Sequence, residues 1–110
     1  MDFQELEADA FVTIVPRGKL NLVSAPPVKS RIDDLVRAGR ARIVVDLGAV
    51  DFVDSSGLGA LIGGLKSARQ AGGDLRIAQA GPQVLAVLKL TNLDRILNPY
   101  ETIEEALNDW

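Results

Sequence analysis

Residues 43–59, IVVDLGAVDFVDSSGLG, decide the fold of this protein. The stretch opens with the apolar, β-branched run 43–45, which is typical of a strand covered on both faces. It closes with an acid, two hydroxyls and two glycines. Leu58, Leu61, Ile62 and Leu65 then follow the i, i+3, i+4, i+7 spacing of a helical core stripe. The stretch therefore predicts a strand, a turn and a helix, with the polar residues at the start of the helix.

Strand and helix patterns alternate on both sides of this stretch. Strands are predicted over residues 11–15, 42–47, 74–78 and 96–97, with residues 3–10 as an edge hairpin partner of the first and a turn at 16–19. Helices are predicted from Ser24 or Ala25 to a stop at Gly39, from the opening turn to residues 71–73, from Gly81-Pro82 onward, and after Thr102, which begins a capping-box pattern.

This alternation indicates an α/β fold with a mainly parallel central sheet of four to five strands and helices packed on it. The length of 110 residues is typical of one domain, here residues 1–110. In such sheets, functional groups gather at the carboxyl ends of the strands, and the opening turn follows the best-defined strand.

Composition removes several function classes. The chain has no cysteine and no histidine, which excludes thiolate zinc sites, cysteine nucleophiles and histidine-based acid–base catalysis. The net charge of −3 comes without a basic block, so nucleic acid is not an expected partner. No apolar run is long enough to span a bilayer, and the N-terminus is acidic, so we expect a cytoplasmic protein without membrane insertion.

The turn at residues 54–56 has two interpretations from chemistry alone. Asp54, Ser55 and Ser56 are all good helix caps, and capping is a sufficient reason for them. The same helix start would also expose Ser55 and could accommodate a phosphate on it through free backbone N–H groups, so a phosphorylation switch at a partner interface fits as well. Catalysis by Ser55 is not expected, because no suitable general base is present.

Asp46 and the glycines of the predicted second helix are two other candidate functional features. Asp46 ends the best strand, as a phosphoaspartate acceptor would, but an acidic pair for Mg²⁺ is missing after the first strand, so an ordinary strand-end aspartate is the favoured interpretation. Gly63 and Gly64 are expected to serve packing on the sheet. Gly57 and Gly59, which are nearest the serines, are better candidates for close approach of a partner.

Residues 43–77, with the Asp-Ser-Ser-Gly-Leu-Gly turn at their centre, resemble the STAS family, specifically the bacterial anti-sigma-factor antagonists. Residues 87–97, VLKLTNLDRIL, and the early Gly-Lys-Leu-Asn at 18–21 extend the resemblance over nearly the whole chain. The resemblance implies a STAS fold and a non-enzymatic regulator without a cofactor. Its implied partner is an anti-sigma factor with serine kinase activity, and a phosphatase would reset the switch.

The resemblance also implies roles for individual residues. Ser55 matches the phosphorylated serine, and the implied partner-binding residues are Asn21, Asp54, Ser56, Gly57, Leu58 and Gly59. Many antagonists have an aspartate where this chain has Asn21, so a charge is missing from the early turn. A non-phosphorylated STAS scaffold module of a transporter or signalling complex therefore remains as the alternative function.

Overall fold

The structure is a computed structural model that describes residues 3–8, 10–108 and 110. Its strands are β1 (Phe3–Glu7), β2 (Val12–Pro16), β3 (Gly18–Leu20), β4 (Arg42–Asp46), β5 (Val50–Val53), β6 (Asp74–Ala78) and β7 (Pro99–Tyr100). Its α-helices are α1 (Ala25–Arg37), α2 (Ser55–Gln70), α3 (Pro82–Leu90) and α4 (Ile103–Ala106), and a 3-10 turn spans Leu93–Arg95.

Within the described residues, the central sheet has the order β1-β2-β4-β6-β7. The pairs β2–β4, β4–β6 and β6–β7 are parallel, and only β1 runs antiparallel, as an edge hairpin partner of β2. The predicted α/β class, the mainly parallel sheet and the edge hairpin are therefore confirmed. The hairpin was predicted over 3–10, and its residue Asp9 lies outside the described residues.

The two faces of the sheet are covered unequally. Ile43 and Val45 face the main core with α1, α2 and α3, whereas Val44 between them faces a smaller cluster that contains Ala106 of α4. All three strand residues are fully buried, as their continuous apolar run predicted. The larger helices therefore lie on one face, and only the short terminal helix covers part of the other.

Helices α1 and α2 pack side by side on the main face. Val28, Ile32 and Leu35 of α1 are buried, and Gly64 of α2 makes room for Ile32, since a Cβ there would lie 3.0 Å from Ile32 Cγ2. This confirms the packing role predicted for Gly64. Gly39, with φ +82°, follows the end of α1 in the left-handed region that glycine tolerates, as the predicted stop requires.

The chain beyond β2 and β4 differs from the prediction. A turn was expected at 16–19 and no strand at 50–53, but after a break at Arg17 the chain forms β3, which pairs in parallel with β5. β3 follows β2 after one residue, and β5 follows β4 after the turn at residues 47–49. Because β3 and β5 are paired, the loop after β3 and the turn after β5 lie next to each other at the start of α2.

The prediction of a last strand at 96–97 is wrong. The edge strand is Pro99–Tyr100, which pairs with Ile77 and Ala78, whereas Ile96 has helical backbone angles. Leu97 is apolar because it is buried in the main core, and Ile96 is half exposed. Hydrophobicity therefore identified a core contact rather than the strand itself.

Candidate partner-binding site

Asp54 joins the two neighbouring turns at the carboxyl end of the sheet. It is the N-cap of α2, and its Oδ1 accepts a hydrogen bond of 2.9 Å from the Gly57 N–H. Its Oδ2 accepts one of 3.3 Å from the N–H of Leu22, which lies in the loop between β3 and α1. The capping interpretation of Asp54 is thus confirmed, and the same carboxylate fixes the position of the second loop.

Ser55 and Ser56 are the first two residues of α2. Ser55 is exposed and Ser56 is partly exposed. Because an α-helix offers no internal acceptor to its first N–H groups, those of Ser55 and Ser56 point outward, at the positive end of the helix dipole. The sequence-predicted phosphorylation residue therefore lies at the surface, on the first turn of a 16-residue helix.

Asn21 organises the loop that precedes α1. Its Oδ1 accepts hydrogen bonds from the N–H groups of Val23 at 3.0 Å and Ser24 at 3.3 Å. The buried hydroxyl of Ser24, in turn, accepts from the Asn21 N–H at 2.9 Å and donates to the Lys19 carbonyl at 2.6 Å. Ser24 is the N-cap of α1, as predicted, but its hydroxyl stabilises this loop instead of capping the helix.

The three remaining sequence-predicted residues differ in accessibility. Gly57 is buried against β3, because a Cβ there would overlap the Leu20 carbonyl oxygen and lie 2.7 Å from Val53 Cγ2. Leu58 is only 5% exposed and belongs to the main core. Burial thus gives Gly57 and Leu58 packing roles, and the contact with Leu20 is by itself a sufficient reason for the glycine at 57. Gly59 is exposed, and a Cβ on it would meet nothing within 4 Å.

An open apolar groove runs between the N-terminal halves of α1 and α2, next to the serines. It has a volume of about 310 Å³. It is lined by Leu22 of the loop, Ala25, Pro26 and Lys29 of α1, and Ser56, Gly59 and Ala60 of α2. The sequence analysis assigned no role to Leu22 or to the neighbouring Val23. The sequence signal that could have indicated a role for them is their position, because they are two consecutive apolar residues between a strand and a helix that starts with Pro-Pro.

Asp46 lies outside this site and has a local role. Its Oδ1 accepts a hydrogen bond of 2.9 Å from the Gly48 N–H, which shapes the turn that follows β4. Among the described residues, no group of three or more side chains is arranged to hold a metal ion. The favoured interpretation of Asp46 as an ordinary strand-end residue agrees with this geometry.

No helix in the described part of the chain combines the length and apolar character needed to cross a bilayer.

Comparison with known proteins identifies relatives of the whole chain. A Thermotoga maritima protein classed as an anti-sigma factor antagonist is 35% identical over 92% of this chain and 90% of its own length. The anti-sigma F factor antagonist of Paenibacillus polymyxa is 30% identical over 96% of this chain and 92% of its own length. These names describe regulators, in agreement with the expectation of a non-enzymatic protein.

The fold comparison agrees with the sequence comparison. The crystal structure of a Thermotoga maritima protein, also classed as an anti-sigma factor antagonist, superposes with a TM-score of 0.91 at 34% identity. The superposition covers 97% of this chain and 92% of that one. The family model of the STAS domain matches residues 3–106. The resemblance inferred from the Asp-Ser-Ser-Gly-Leu-Gly turn is thereby confirmed, and the chain belongs to the STAS domain family.

Proposed function

We propose that this protein is an anti-sigma-factor antagonist whose binding to an anti-sigma factor is controlled by phosphorylation of Ser55. In this proposal the unphosphorylated protein sequesters the anti-sigma factor and releases a sigma factor. The partner is itself the serine kinase, and a phosphatase restores the binding form. Because sigma factors act in transcription, the cytoplasm is the expected compartment.

The observation that carries the proposal is the position of Ser55. It is exposed on the first turn of α2, while Asp54 beside it already supplies the helix cap. The hydroxyl of Ser55 is therefore not needed for capping. The names of the relatives supply the class of partner, since they are antagonists of anti-sigma factors.

Phosphorylation of Ser55 would alter the surface while preserving the fold. A phosphoserine carries about −1.5 to −2 charges at neutral pH, and helix N-termini accommodate phosphate through their free N–H groups. The added anion would lie beside the Asp54 carboxylate and the apolar groove. A partner docked there would have to desolvate it, so we expect the interface to break while α2 remains formed.

The test compares two charge-adding variants of the same helix. Ser55→Asp is expected to weaken binding to the anti-sigma factor by at least about tenfold, because it places a charge inside the docked surface. Gln70→Glu adds the same charge to the exposed last residue of α2, about 22 Å along the helix axis, and should bind as the wild type does. Isothermal titration calorimetry measures both affinities, and circular dichroism verifies the fold.

Phosphate transfer is tested by incubation with the kinase and ATP. Mass spectrometry should find one phosphate on the wild type and on Ser56→Ala, and none on Ser55→Ala. Two results together would contradict the proposal and favour the constitutive scaffold. They are a wild-type protein that gains no phosphate and a Ser55→Asp protein that binds the partner as tightly as the wild type.

A further inference from the structure

Leu22 and Val23 form an exposed apolar pair next to the Ser55 site. Leu22 is 72% exposed and Val23 is 79% exposed, which makes them two of the most exposed large apolar residues in the described chain. Isolated apolar residues are common on protein surfaces, but two adjacent ones beside an apolar groove form a patch of the kind that marks interaction sites.

The backbone beneath this pair is held firmly. Asn21 Oδ1 accepts from the Val23 N–H, and Asp54 Oδ2 accepts from the Leu22 N–H. The Ala25 N–H donates to the Asn21 carbonyl at 2.8 Å and closes the turn. Because the loop is already ordered, a partner that binds the two side chains has less conformational entropy to remove. The turn therefore presents two apolar side chains in a preorganised position.

The pair is physically continuous with the proposed switch. Leu22 lines the same groove as Ser56 and Gly59, and Asp54 contacts both the Leu22 backbone and the first turn of α2. A protein that covers Ser55 closely enough to be displaced by its phosphate must therefore also meet the loop that carries Leu22. The protein that covers this patch is consequently the same one that covers Ser55 and is displaced by its phosphate.

We propose that Leu22 and Val23 are specificity-determining anchors for the anti-sigma factor, which receives them in an apolar pocket of its own. The proposal rests on the proposed function and adds the chemistry of the recognised surface. The anchors supply affinity, since buried apolar side chains at the centre of an interface dominate binding. Ser55 supplies the control, because its phosphate blocks the approach to the same patch.

The experiment uses a matched pair of double variants of the full chain. Leu22→Ser/Val23→Ser removes the anchors. Leu90→Ser/Ile96→Ser makes equivalent changes at two positions distant in sequence, the end of α3 and the residue after the 3-10 turn, where Leu90 is 84% and Ile96 is 50% exposed. Binding of each is measured by fluorescence anisotropy against each anti-sigma-factor kinase of the source organism, purified and labelled singly. The conservative variant Leu22→Met/Val23→Ile retains apolar side chains and serves as a rescue.

We expect loss of the anchors to weaken binding by about tenfold or more, while the distant and conservative variants bind as the wild type does. The variants at Leu22 and Val23 should have the unfolding midpoint of the wild type, because those side chains are exposed. The Leu90→Ser/Ile96→Ser variant needs only to remain folded, because Ile96 is half buried. At kinase concentrations above the weakened Kd, Ser55 of the anchorless variant should still become phosphorylated, since the anchors act on docking alone.

Two results would overturn the inference while leaving the proposed function intact. One is equal affinity of the anchorless and wild-type proteins. The other is a dimer of this chain, detected by light scattering, that dissociates when the anchors are removed, because the patch would then be occupied by a second copy. A wild-type protein that binds none of the anti-sigma-factor kinases would instead overturn the proposed function and the inference together.

Discussion

At the residue scale, Gly57 and Gly59 in the first turns of α2 have opposite surroundings. A Cβ at Gly57 would overlap the Leu20 carbonyl oxygen, whereas one at Gly59 would meet no atom within 4 Å. The fold therefore requires glycine at 57 but not at 59. A glycine that the fold does not need, in a groove beside the proposed switch, is consistent with close approach by a partner.

The corresponding prediction separates stability from binding. Gly59→Ala should raise the free energy of unfolding by about 0.8–1.0 kcal/mol, because alanine favours the helix, yet weaken binding to the anti-sigma factor. Gly57→Ala should lower the free energy of unfolding by about 1–3 kcal/mol through overpacking. Urea unfolding and calorimetric titration measure the two effects. A Gly59→Ala protein that binds at full strength would show that the partner does not approach this position.

Asn21 provides a second prediction at this scale. Its Oδ1 is the acceptor that orders the loop, and an aspartate could accept the same hydrogen bonds. We expect Asn21→Asp to change the free energy of unfolding by less than about 0.5 kcal/mol. If the proposed kinase recognises a carboxylate at this position, as the family resemblance implies, the variant should also be phosphorylated faster on Ser55. Asn21→Ala should lower the free energy of unfolding by about 1 kcal/mol, because the loop loses its hydrogen-bond acceptor. An unchanged rate of phosphate incorporation in Asn21→Asp would mean that the kinase does not use this charge.

At the scale of elements, helix α3 supports the strand that leads to the Ser55 site. Gln83 in its first turn accepts from the Val53 N–H at 2.8 Å and donates to the Val53 carbonyl at 3.0 Å. The side-chain amide thus acts like a neighbouring strand for the end of β5. Since Asp54 follows directly, this contact helps to fix the position of the α2 start.

We therefore expect Gln83→Leu to lower the free energy of unfolding by about 1–3 kcal/mol, because it leaves the buried N–H and carbonyl of Val53 unpaired. Binding to the anti-sigma factor should weaken as well, because the end of β5 positions Asp54. Gln83→Glu retains the acceptor for the N–H and should lose less stability. Hydrogen exchange at the Val53 amide measures the local effect, and protection equal to the wild type in Gln83→Leu would contradict this account.

At the scale of the whole molecule, the Ser55 site and the terminal helix belong to different parts of the fold. Arg76 of β6 lies 4.1 Å from the ring centroid of Trp110 and donates to the Ala106 carbonyl at 2.7 Å. These contacts hold the chain end against the face of the sheet that carries Val44 and Ala78. The Ser55 site is built instead on α2, which packs on the main face.

This separation predicts that stability can be reduced without loss of binding. Trp110→Ala should lower the free energy of unfolding by about 2 kcal/mol, less than for a fully buried tryptophan because Trp110 is only partly buried. Affinity for the anti-sigma factor, measured well below the unfolding temperature, should stay within about twofold. A large loss of affinity in a folded Trp110→Ala protein would show that the two faces are coupled.

The sequence by itself determined the α/β class, the parallel sheet and most elements, because these depend on local periodicity. The run at 43–45 and the stripe of Leu58, Leu61 and Leu65 could each be interpreted without knowledge of the neighbouring chain. The position of Ser55 at a helix start followed in the same way, since Asp54 is a good cap and the apolar stripe begins directly after it.

Tertiary structure alone decided the contacts between residues distant in sequence. The bond from the Leu22 N–H to Asp54 and the pairing of β3 with β5 depend on where two strand ends meet, which no local pattern records. The same applies to Gly57, whose neighbour is the carbonyl of Leu20. Edge strand β7 was missed because hydrogen bonding to β6 defines it, while the apolar Leu97 before it fills the core. Local sequence thus specified the position of Ser55, the proposed switch residue, and long-range packing placed the exposed Leu22–Val23 loop beside it.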